Sequence, residues 1–356
     1  MDYYTDSGRK IVLASICYFL ERLMFTRLFS YGICLAFGFF LSDHQAWANW
    51  QPKHPVEFIV PAGVGGGADQ MARMIQSIIV KHKLLPTSMV VVNESGESGA
   101  EALLHLQRSS GDPYKLIITL SNLFTTPYST GIPFNWSEMT PVSMMALDEF
   151  VLWVNAADPI RNVADYVAAV RAAKPGEFTM GGTGKKQEDQ IITVALAKII
   201  GAPITYVPLG GGGDVAQNLT DGHVRSTVNN PIEAVAQWRA GKLRPLCVFD
   251  ASGIPHVQNI VGKKAWVDIP TCGSQGLPLN YKMLRAVFLP GDVSADQLQY
   301  YTTLLQTVRA TPEWKAMIAE AAYDTELLTG NILIQWLKSE DRRHYRLMRE
   351  AGFLAR

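Results

Sequence analysis

Three glycine-rich segments of the chain each lie between an apolar, strand-like run and a helix-like run. They read PAGVGGGAD, GGTGKK and GGGGD and span residues 61–69, 181–186 and 210–214. The first turn of a helix offers free N–H groups and the positive end of the helix dipole, and glycine lets an anion approach the backbone. We interpret the segments as anion-binding loops; the alternative is that their glycines only make tight turns between strand and helix.

The first of these loops also matches a nucleotide-binding pattern. Residues 63–68 satisfy G-x-G-x-x-A, and Glu94 lies 26 residues after Ala68, near the roughly 20 residues expected for an acid that binds ribose. Two features oppose this interpretation, since Pro61 follows the strand directly and the third glycine falls one residue early. We interpret the match as incidental, with a dinucleotide-binding oxidoreductase of the Rossmann type as the alternative.

Catalytic signatures are scarce in this sequence. No H-E-x-x-H, C-x-x-C or G-x-S-x-G pattern occurs, and GGTGKK lacks the first glycine and the Ser or Thr of a Walker loop. Asp69, Glu188 and Asp189 stand near the loops, where acids commonly complement the positive N-terminal end of a helix. We therefore predict no catalytic residue, no metal site and no cofactor. The alternative is an exported enzyme that acts on a small carboxylic acid.

The N-terminal segment has the three parts of a secretory signal peptide. From Met24 the chain has a short basic region with Arg27, an apolar run over residues 28–41, and an A-x-A cleavage pattern that ends at Ala48. The apolar run of 14 residues is shorter than the roughly 20 that cross a bilayer as a helix. We predict that residues 1–48 form a cleaved leader, that Met24 is the true start, and that the protein is exported. The alternative is an uncleaved anchor.

The charge of the chain is balanced. It has 32 basic and 32 acidic side chains, and removal of the predicted leader leaves 28 of each. A net charge of zero produces no long-range field for nucleic acid, so we expect no such partner. Beyond the leader, Cys247 lies in the apolar run LRPLCVF and Cys272 lies in a loop. They could pair in an oxidising compartment, but we interpret them as unpaired packing and loop residues.

Strand-like and helix-like runs alternate from Val56 onward, which predicts an α/β fold with mostly parallel sheets. The first series ends with EFVLWVN, and a second series begins after Asp158. The C-terminal part has one strand, LRAVFLP, and three helices, which cannot bury themselves alone and should pack on the first lobe. The predicted first lobe is residues 49–155 plus 284–356, and the predicted second lobe is residues 156–283.

The order of the motifs resembles one family of proteins. IVPAGVGGGADQMAR is similar to the IVPFxPGGGxDxxAR motif of the substrate-binding proteins of tripartite tricarboxylate transporters, the Bug family. Later segments continue the resemblance: YVPLGGGGDVAQNLTDGHV is similar to HVPYKGGxxAxxxLLGGxV, WRAGKLRPLCV to IRAGKLRALAV, and DIPTCGSQGLP to DVPTxxExGxP. The similarity extends from about Pro55 to Gly352, which is nearly all of the chain after the predicted leader.

The resemblance implies a two-lobed periplasmic binding protein of type II, which closes on a small carboxylate and delivers it to integral membrane transporter subunits. It implies no catalysis, and we expect a monomer. Transferred by position, the ligand contacts would come from the first loop, from the residues after KLIITL, from GGTGKK and from the end of HVRSTVNN. These residues are Val64, Gly65, Gly66, Ala68, Asp69, Ser121, Asn122, Gly182, Thr183, Gly184, Lys185, Asn229 and Asn230.

The chain departs from the family pattern in the second lobe. Lys185, Lys186 and Gln187 replace the usual Ser or His after the glycines, and Asn229 stands where the family often has aspartate. Gaining lysines and losing an acid both favour a more negative ligand, so we predict a di- or tricarboxylate, aliphatic or aromatic. The alternative is that both lysines are solvated at the start of a helix.

Overall fold

A computed structural model describes residues 50–325 and 327–356 of the chain. All the elements below belong to the unit Trp50–Arg356. The predicted leader, its cleavage after Ala48 and the start at Met24 lie outside the described residues. In the part of the chain that is described, no helix is both long and apolar enough to cross a membrane.

Strands and helices alternate along most of the chain, as the sequence predicts. The first series is β1 (Val56–Val60), α1 (Gly67–Lys81), β2 (Met89–Asn93), α2 (Gly96–Arg108), β3 (Lys115–Ile118), α3 (Asn122–Thr130) and β4 (Thr140–Glu149). The second is β5 (Val151–Asn155), α4 (Val163–Ala172), β6 (Thr179–Thr183), α5 (Glu188–Ile200), β7 (Thr205–Leu209), α6 (Gly212–Thr220), β8 (Ser226–Thr227), α7 (Pro231–Arg239) and β9 (Leu243–Val248). The last part holds β10 (Asn259–Val261), β11 (Lys264–Ala265), β12 (Lys282–Leu289), α8 (Ala295–Ala310), α9 (Pro312–Ala321) and α10 (Gly330–Glu350).

Two five-stranded sheets form the cores of the two lobes. The first has the order β2-β1-β3-β12-β4, and the second has the order β7-β6-β8-β5-β9. In the first sheet β12 runs antiparallel between β3 and β4, and in the second β5 runs antiparallel between β8 and β9. The other strands of each sheet are parallel to one another, which confirms the predicted α/β fold with mostly parallel strands.

The passage between the sheets lies earlier than the predicted boundary near Asn155. β4 ends at Glu149 in the first sheet, and β5 begins at Val151 in the second. The chain therefore crosses at Phe150 and returns where β12 begins, at Lys282. The segment LDEFVLWVN has no Gly or Pro to mark a break, so its apolar pattern predicts a strand without showing that the strand changes sheets.

The strand β1, which lies between β2 and β3 in the first sheet, is buried on both faces. Phe58 belongs to one cluster of core side chains, and the next residue, Ile59, belongs to another. Strands buried in this way need helices on both sides of the sheet. The helix α1 covers one side with the apolar face that the sequence predicts: Met71, Ile75, Ile78 and Ile79.

The C-terminal part packs on the first lobe, as predicted. The strand β12 completes the first sheet, and α8 and α10 both pack against β4. The predicted capping box at the start of α8 is formed, because Ser294 accepts the backbone N–H of Gln297 while the Gln297 side chain accepts that of Ser294.

Cys247 and Cys272 form a disulfide bond, so the interpretation of two unpaired cysteines is wrong. The loop that contains Cys272 returns alongside β9, where the Cys272 N–H donates to the carbonyl of Val248 at 2.8 Å. The two cysteines are 25 residues apart in sequence. Their proximity depends on this return of the loop, which the local pattern around either cysteine does not indicate.

Candidate functional site

The glycine loops of the two lobes meet backbone to backbone. A Cβ atom placed on Gly63 of the first loop would lie 3.1 Å from the carbonyl oxygen of Gly210, and one placed on Gly213 would lie 3.6 Å from that of Gly65. Side chains larger than hydrogen at Gly63 would force these loops apart. The glycines therefore permit a close approach of the lobes, in addition to making turns.

A cavity of about 30 Å³ lies where these loops meet, with room for one or two water molecules. Its walls come from both lobes and include the first turns of α1, α5 and α6. The lining residues are Ala62, Gly63, Gly66, Gly67, Ala68, Leu120, Thr183, Glu188, Asp189, Gly211, Gly212, Asn230, Glu233, Met283 and Arg285.

Asp69 holds the first loop in shape. Its carboxylate accepts the N–H of Gly65 at 2.9 Å, the Nε–H of Arg73 at 2.9 Å and the amide of Asn93 at 3.0 Å. Burial raises the pKa of Asp69, but these bonds and the charge of Arg73 outweigh it and keep the pKa below its ordinary value. Because its oxygens are engaged within the lobe, Asp69 orients the loop that lines the cavity.

Glu233 of the second lobe binds the start of α1 in the first. Its Oε1 accepts the N–H of Gly67 at 3.0 Å, and its Oε2 accepts the side-chain amide of Asn229 at 3.1 Å and the N–H of Asn230 at 3.2 Å. A Cβ atom on Gly212 would overlap this carboxyl group. A carboxylate of the chain itself thus takes one of the free N–H groups that a helix start offers to an anion.

Arg285 and Asp148 form a buried ion pair beneath the same helix start. The Nε of Arg285 lies 3.0 Å from Oδ2 of Asp148, and both side chains are almost completely buried. Burial raises the pKa of Asp148 to about 7 although Arg285 opposes this, and Glu233 adds to the rise. A Cβ atom on Gly67 would lie 2.5 Å from Nη2 of Arg285, so glycine is needed where the guanidinium meets α1.

Glu188 and Asp189 begin α5 and line the second-lobe side of the cavity. Asp189 accepts the N–H of Thr183 at 2.6 Å. Burial raises the pKa of Glu188 to about 7; Arg285 lowers it and Glu233 raises it further. Burial and the neighbouring Glu188 also raise the pKa of Asp189 well above its ordinary value. The sequence correctly predicts that these acids lie at a helix start, but it does not predict that they are buried in the cavity wall.

The predicted ligand-binding residues are only partly brought together. Gly66, Ala68, Thr183 and Asn230 line the cavity. The others lie beside or behind its walls, or on the surface: Val64, Gly65, Asp69, Ser121, Asn122, Gly182, Gly184, Lys185 and Asn229. Val64 is 72% exposed and Lys185 is also exposed, so neither faces the cavity.

Ser121 and Asn122 lie behind the first loop. The Asn122 amide donates to the carbonyl of Pro61 at 2.9 Å, which anchors the start of that loop. The hydroxyl of Ser121 accepts a hydrogen bond from Tyr281 at 3.2 Å, and Tyr281 is also within 2.9 Å of the buried His344. Both predicted residues therefore support the cavity from within the first lobe.

Several lining residues are absent from the sequence-based prediction, above all Glu233 and Arg285. The sequence does contain a feature that could have identified Arg285, because this charged residue lies inside the apolar strand run KMLRAVFL. The pattern Asn230-x-x-Glu233 predicts a capping pair, which the structure contains. No local pattern indicates that the same Glu233 carboxylate crosses to α1 of the other lobe.

One group of side chains in residues 50–325 and 327–356 has the composition of a metal site. Ligand atoms of Glu57, Glu94 and His105 lie within 4.8 Å of one another. However, Lys115 lies 2.8 Å from Glu57, and His105 lies 2.8 Å from Glu94. The ammonium of Lys115 thus already supplies a positive charge to Glu57, and the group lies outside the cavity lining.

Comparison with known proteins agrees with the resemblance that the motifs indicate. The family described as "Tripartite tricarboxylate transporter family receptor" matches residues 71–349. A relative from Cupriavidus necator, "UPF0065 protein in gbd 5'region", is 28% identical over 217 residues, which are 60% of this chain and 64% of the relative. The match thus spans just under two thirds of that relative.

Solved structures share the two-lobed fold. A structure described as "R. palustris Rpa4515 with adipate" aligns with a TM-score of 0.76 and 23% identity, covering 85% of this chain and 98% of its own. "MatC (Rpa3494) from Rhodopseudomonas palustris with bound malate" aligns with a TM-score of 0.71 and 18% identity, covering 83% and 99%. At these identities the comparison concerns the fold.

Proposed function

Because this chain belongs to the tripartite tricarboxylate transporter receptor family, we propose that it is a periplasmic solute-binding protein that captures a small carboxylate for a membrane transporter. Two neighbours of the same fold have titles that name adipate and malate, and both ligands are small dicarboxylates. The predicted di- or tricarboxylate ligand belongs to this class.

The observation that best supports this proposal is the meeting of glycine loops from both lobes at one cavity. The loops follow β1, β6 and β7, at the carboxyl ends of parallel strands, where open α/β sheets bind their ligands. The backbone N–H of Gly67 stands at the start of α1, and Gly211 and Gly212 stand at the start of α6. Helix starts of this kind bind carboxylates without a basic side chain.

Capture requires the lobes to separate, because the cavity of about 30 Å³ is smaller than a dicarboxylate. Within residues 50–325 and 327–356, two chain passages join the sheets, one at Phe150 and one through residues 249–281. A rotation about two such passages is the hinge motion by which two-lobed proteins close on a ligand. Opening would break the contact of Gly67 with Glu233 and the 3.0 Å bond from the Gln187 side chain to the carbonyl of Ser98.

We infer that this protein binds its ligand without transforming it. Among the residues that line the cavity, Thr183 has the one hydroxyl group, and none is Cys, His or Ser. The dinucleotide alternative is also weakened, because Glu94, the candidate acid for ribose, is bound to His105 at 2.8 Å.

Calorimetric titration of the exported protein with adipate, malate, a tricarboxylate such as citrate, and NAD tests the proposal. We expect one molecule of a carboxylate to bind per chain, with the ligand recovered unchanged, and no heat from NAD. Conversion of the ligand to a product would establish an enzyme instead, and binding of NAD alone would establish the nucleotide-binding alternative.

A further inference from the structure

The outer face of α10 carries four basic side chains, which we call the basic stripe. Lys338, Arg342, Arg346 and Arg349 are all exposed, and their spacing of four, four and three residues places them on one side of the helix. At a rise of 1.5 Å per residue the stripe is about 16 Å long. The chain as a whole has a net charge of zero, so the stripe is a local concentration of positive charge.

Acids of the same helix do not neutralise the basic stripe. Glu340 pairs with Arg343 at 2.9 Å, and Asp341 accepts the hydroxyl of Tyr128 at 2.6 Å. Glu350, at the C-terminal end of α10, is the one exposed acid of the helix. None of the four basic side chains forms an ion pair with a described residue, so all four can bind a partner.

The stability of the helix does not explain the basic stripe. Lys338, Arg342 and Arg346 follow one another at a spacing of four residues, where like charges destabilise a helix. The helix dipole favours cations only in the last turn, and Arg349 alone of the four lies there. Solvation does not require the stripe either, because α8 has no charged residue at its exposed positions after the first turn.

The rest of α10 favours a protein partner over a lipid bilayer. A helix that binds a membrane surface places its apolar face among the acyl chains, but in α10 this face is buried in the first lobe through Leu333, Leu337 and Met348. Three of the four stripe residues are arginines, which bind carboxylates through two parallel N–H bonds. Tyr345 lies within the stripe and is 44% exposed, and Tyr and Arg are both enriched in protein–protein interfaces.

We propose that the basic stripe of α10 is a docking surface for an acidic segment of a partner protein. The inference rests on the proposed function, because the membrane transporter subunits are the partners that a solute-binding protein must contact. The guanidinium groups of the stripe would bind carboxylates of that segment, and the ring of Tyr345 would pack beside them. No residue of the stripe lines the cavity, so docking and ligand capture use separate side chains.

Labelled hexaglutamate, about 20 Å long when extended, is a probe that can cover the stripe. Fluorescence anisotropy at pH 7.5 in 0.05 M NaCl measures its binding. The double variant Arg342→Gln with Arg346→Gln should bind the probe 10-fold or more weakly, without a lower melting temperature, because like-charge repulsion is removed. Arg108→Gln with Arg161→Gln, two exposed arginines outside the stripe, is the matched control and should bind like the unaltered protein. Equal losses in both variants, or no binding by the unaltered protein, would overturn the proposal.

Vesicles of phosphatidylcholine with 30% phosphatidylglycerol test the membrane as the occupant. We expect no co-sedimentation in 0.15 M NaCl; co-sedimentation that the Arg342→Gln, Arg346→Gln variant loses would assign the stripe to a lipid surface and overturn the proposal. Calorimetric titration of the same variant with adipate, malate and citrate should match the unaltered protein. The docking surface can therefore fail while the proposed function stands, whereas absence of carboxylate binding in both proteins would count against the proposed function.

Carbodiimide coupling on membranes of the producing cells then identifies the partner. The reagent joins the amine of Lys338 to a carboxylate in contact with it, and mass spectrometry identifies the linked peptides. We expect Lys338 to be joined to an Asp or Glu of a membrane-spanning protein. Lys338→Arg keeps the charge but lacks the amine, so it is the control that should abolish this product. Coupling of Lys338 only to acids of its own chain, or to none, would overturn the proposal.

Discussion

Two clusters of charged side chains lie at the lobe interface, and they differ in how positive charge compensates their carboxylates. At the hinge, the ammonium of Lys282 contacts Asp250, lies 3.3 Å from Glu149 and lies 3.1 Å from Asp324. In the cavity, Arg285 forms an ion pair with Asp148. The three lining acids, Glu188, Asp189 and Glu233, form no ion pair with any described residue.

The difference concerns where the compensating charge comes from. Lys282 has three N–H donors and is 31% exposed at the edge of the interface. It can therefore donate to several carboxylates at once, while water solvates the rest of its ammonium group. Burial raises the pKa of Glu149 to about 8 although Lys282 opposes it, whereas hydrogen bonds from Lys282 and Ser252 outweigh burial and keep the pKa of Asp250 below its ordinary value. The hinge cluster thus has a cation of the chain that contacts all three of its carboxylates, while no basic side chain of the described residues forms an ion pair with Glu188.

The largest expected effect is the loss of stability when Arg285, the basic residue of the cavity cluster, is replaced. Arg285→Met leaves Asp148 buried without its partner and should lower the free energy of unfolding by about 3–5 kcal/mol. Chemical denaturation of the variant and the unaltered protein at pH 7.5 measures this. A loss below about 1 kcal/mol would show that water reaches Asp148, and would remove the basis for treating the cavity cluster as buried.

The next largest expected effect is the contribution of Glu188 to the pH dependence of the free energy of unfolding. A carboxyl group whose pKa is raised by folding, here to about 7, favours the folded state below its unfolded pKa near 4.5 and loses that contribution as the pH rises to about 7. Arg285, Glu233 and Asp189 face it. Glu188→Gln does not titrate, so the variant should match the unaltered protein near pH 4.5 and exceed its stability at pH 8, by on the order of 3 kcal/mol.

Denaturation at these two pH values measures the difference, with Glu177→Gln, which replaces an exposed acid of the same lobe, as the control that should follow the unaltered protein throughout. Asp148 and Glu149 also have raised pKa values and remain in both proteins, so only the difference between the curves reports on Glu188. Parallel curves for Glu188→Gln and the unaltered protein would contradict the assignment of a raised pKa to this residue.

The smallest effect should come from the hinge. Lys282→Met removes the shared partner of Glu149, Asp250 and Asp324. Asp324 is 43% exposed and Glu149, with a pKa of about 8, can stay protonated at pH 7.5, so mainly Asp250 is left buried and charged. We expect a loss of about 1–2 kcal/mol, less than half of that for Arg285→Met. Denaturation at pH 7.5 in 0.05 M and 0.5 M NaCl measures it, with added salt reducing the loss; a loss equal to that of Arg285→Met would erase the contrast between the clusters.

Local patterns predicted most of the fold because strands, helices and glycine turns depend on residues close in sequence. The family resemblance, now established over residues 71–349, rests on such local motifs in a set order. The passage between the sheets at Phe150 was not predicted, since a continuous apolar run does not show which sheet each half joins. The disulfide of Cys247 and Cys272 was missed for a related reason, because it depends on where a loop returns.

The cavity shows the limit of local patterns more clearly. The sequence by itself determined that glycine loops precede helices and therefore that backbone N–H groups are available to an anion. Only the tertiary structure decided the charge around them, since Glu233 reaches Gly67 from 166 residues away and Arg285 pairs with Asp148 from 137 residues away. A charge affects a binding site according to its burial and its partners, and both are set when the two lobes come together.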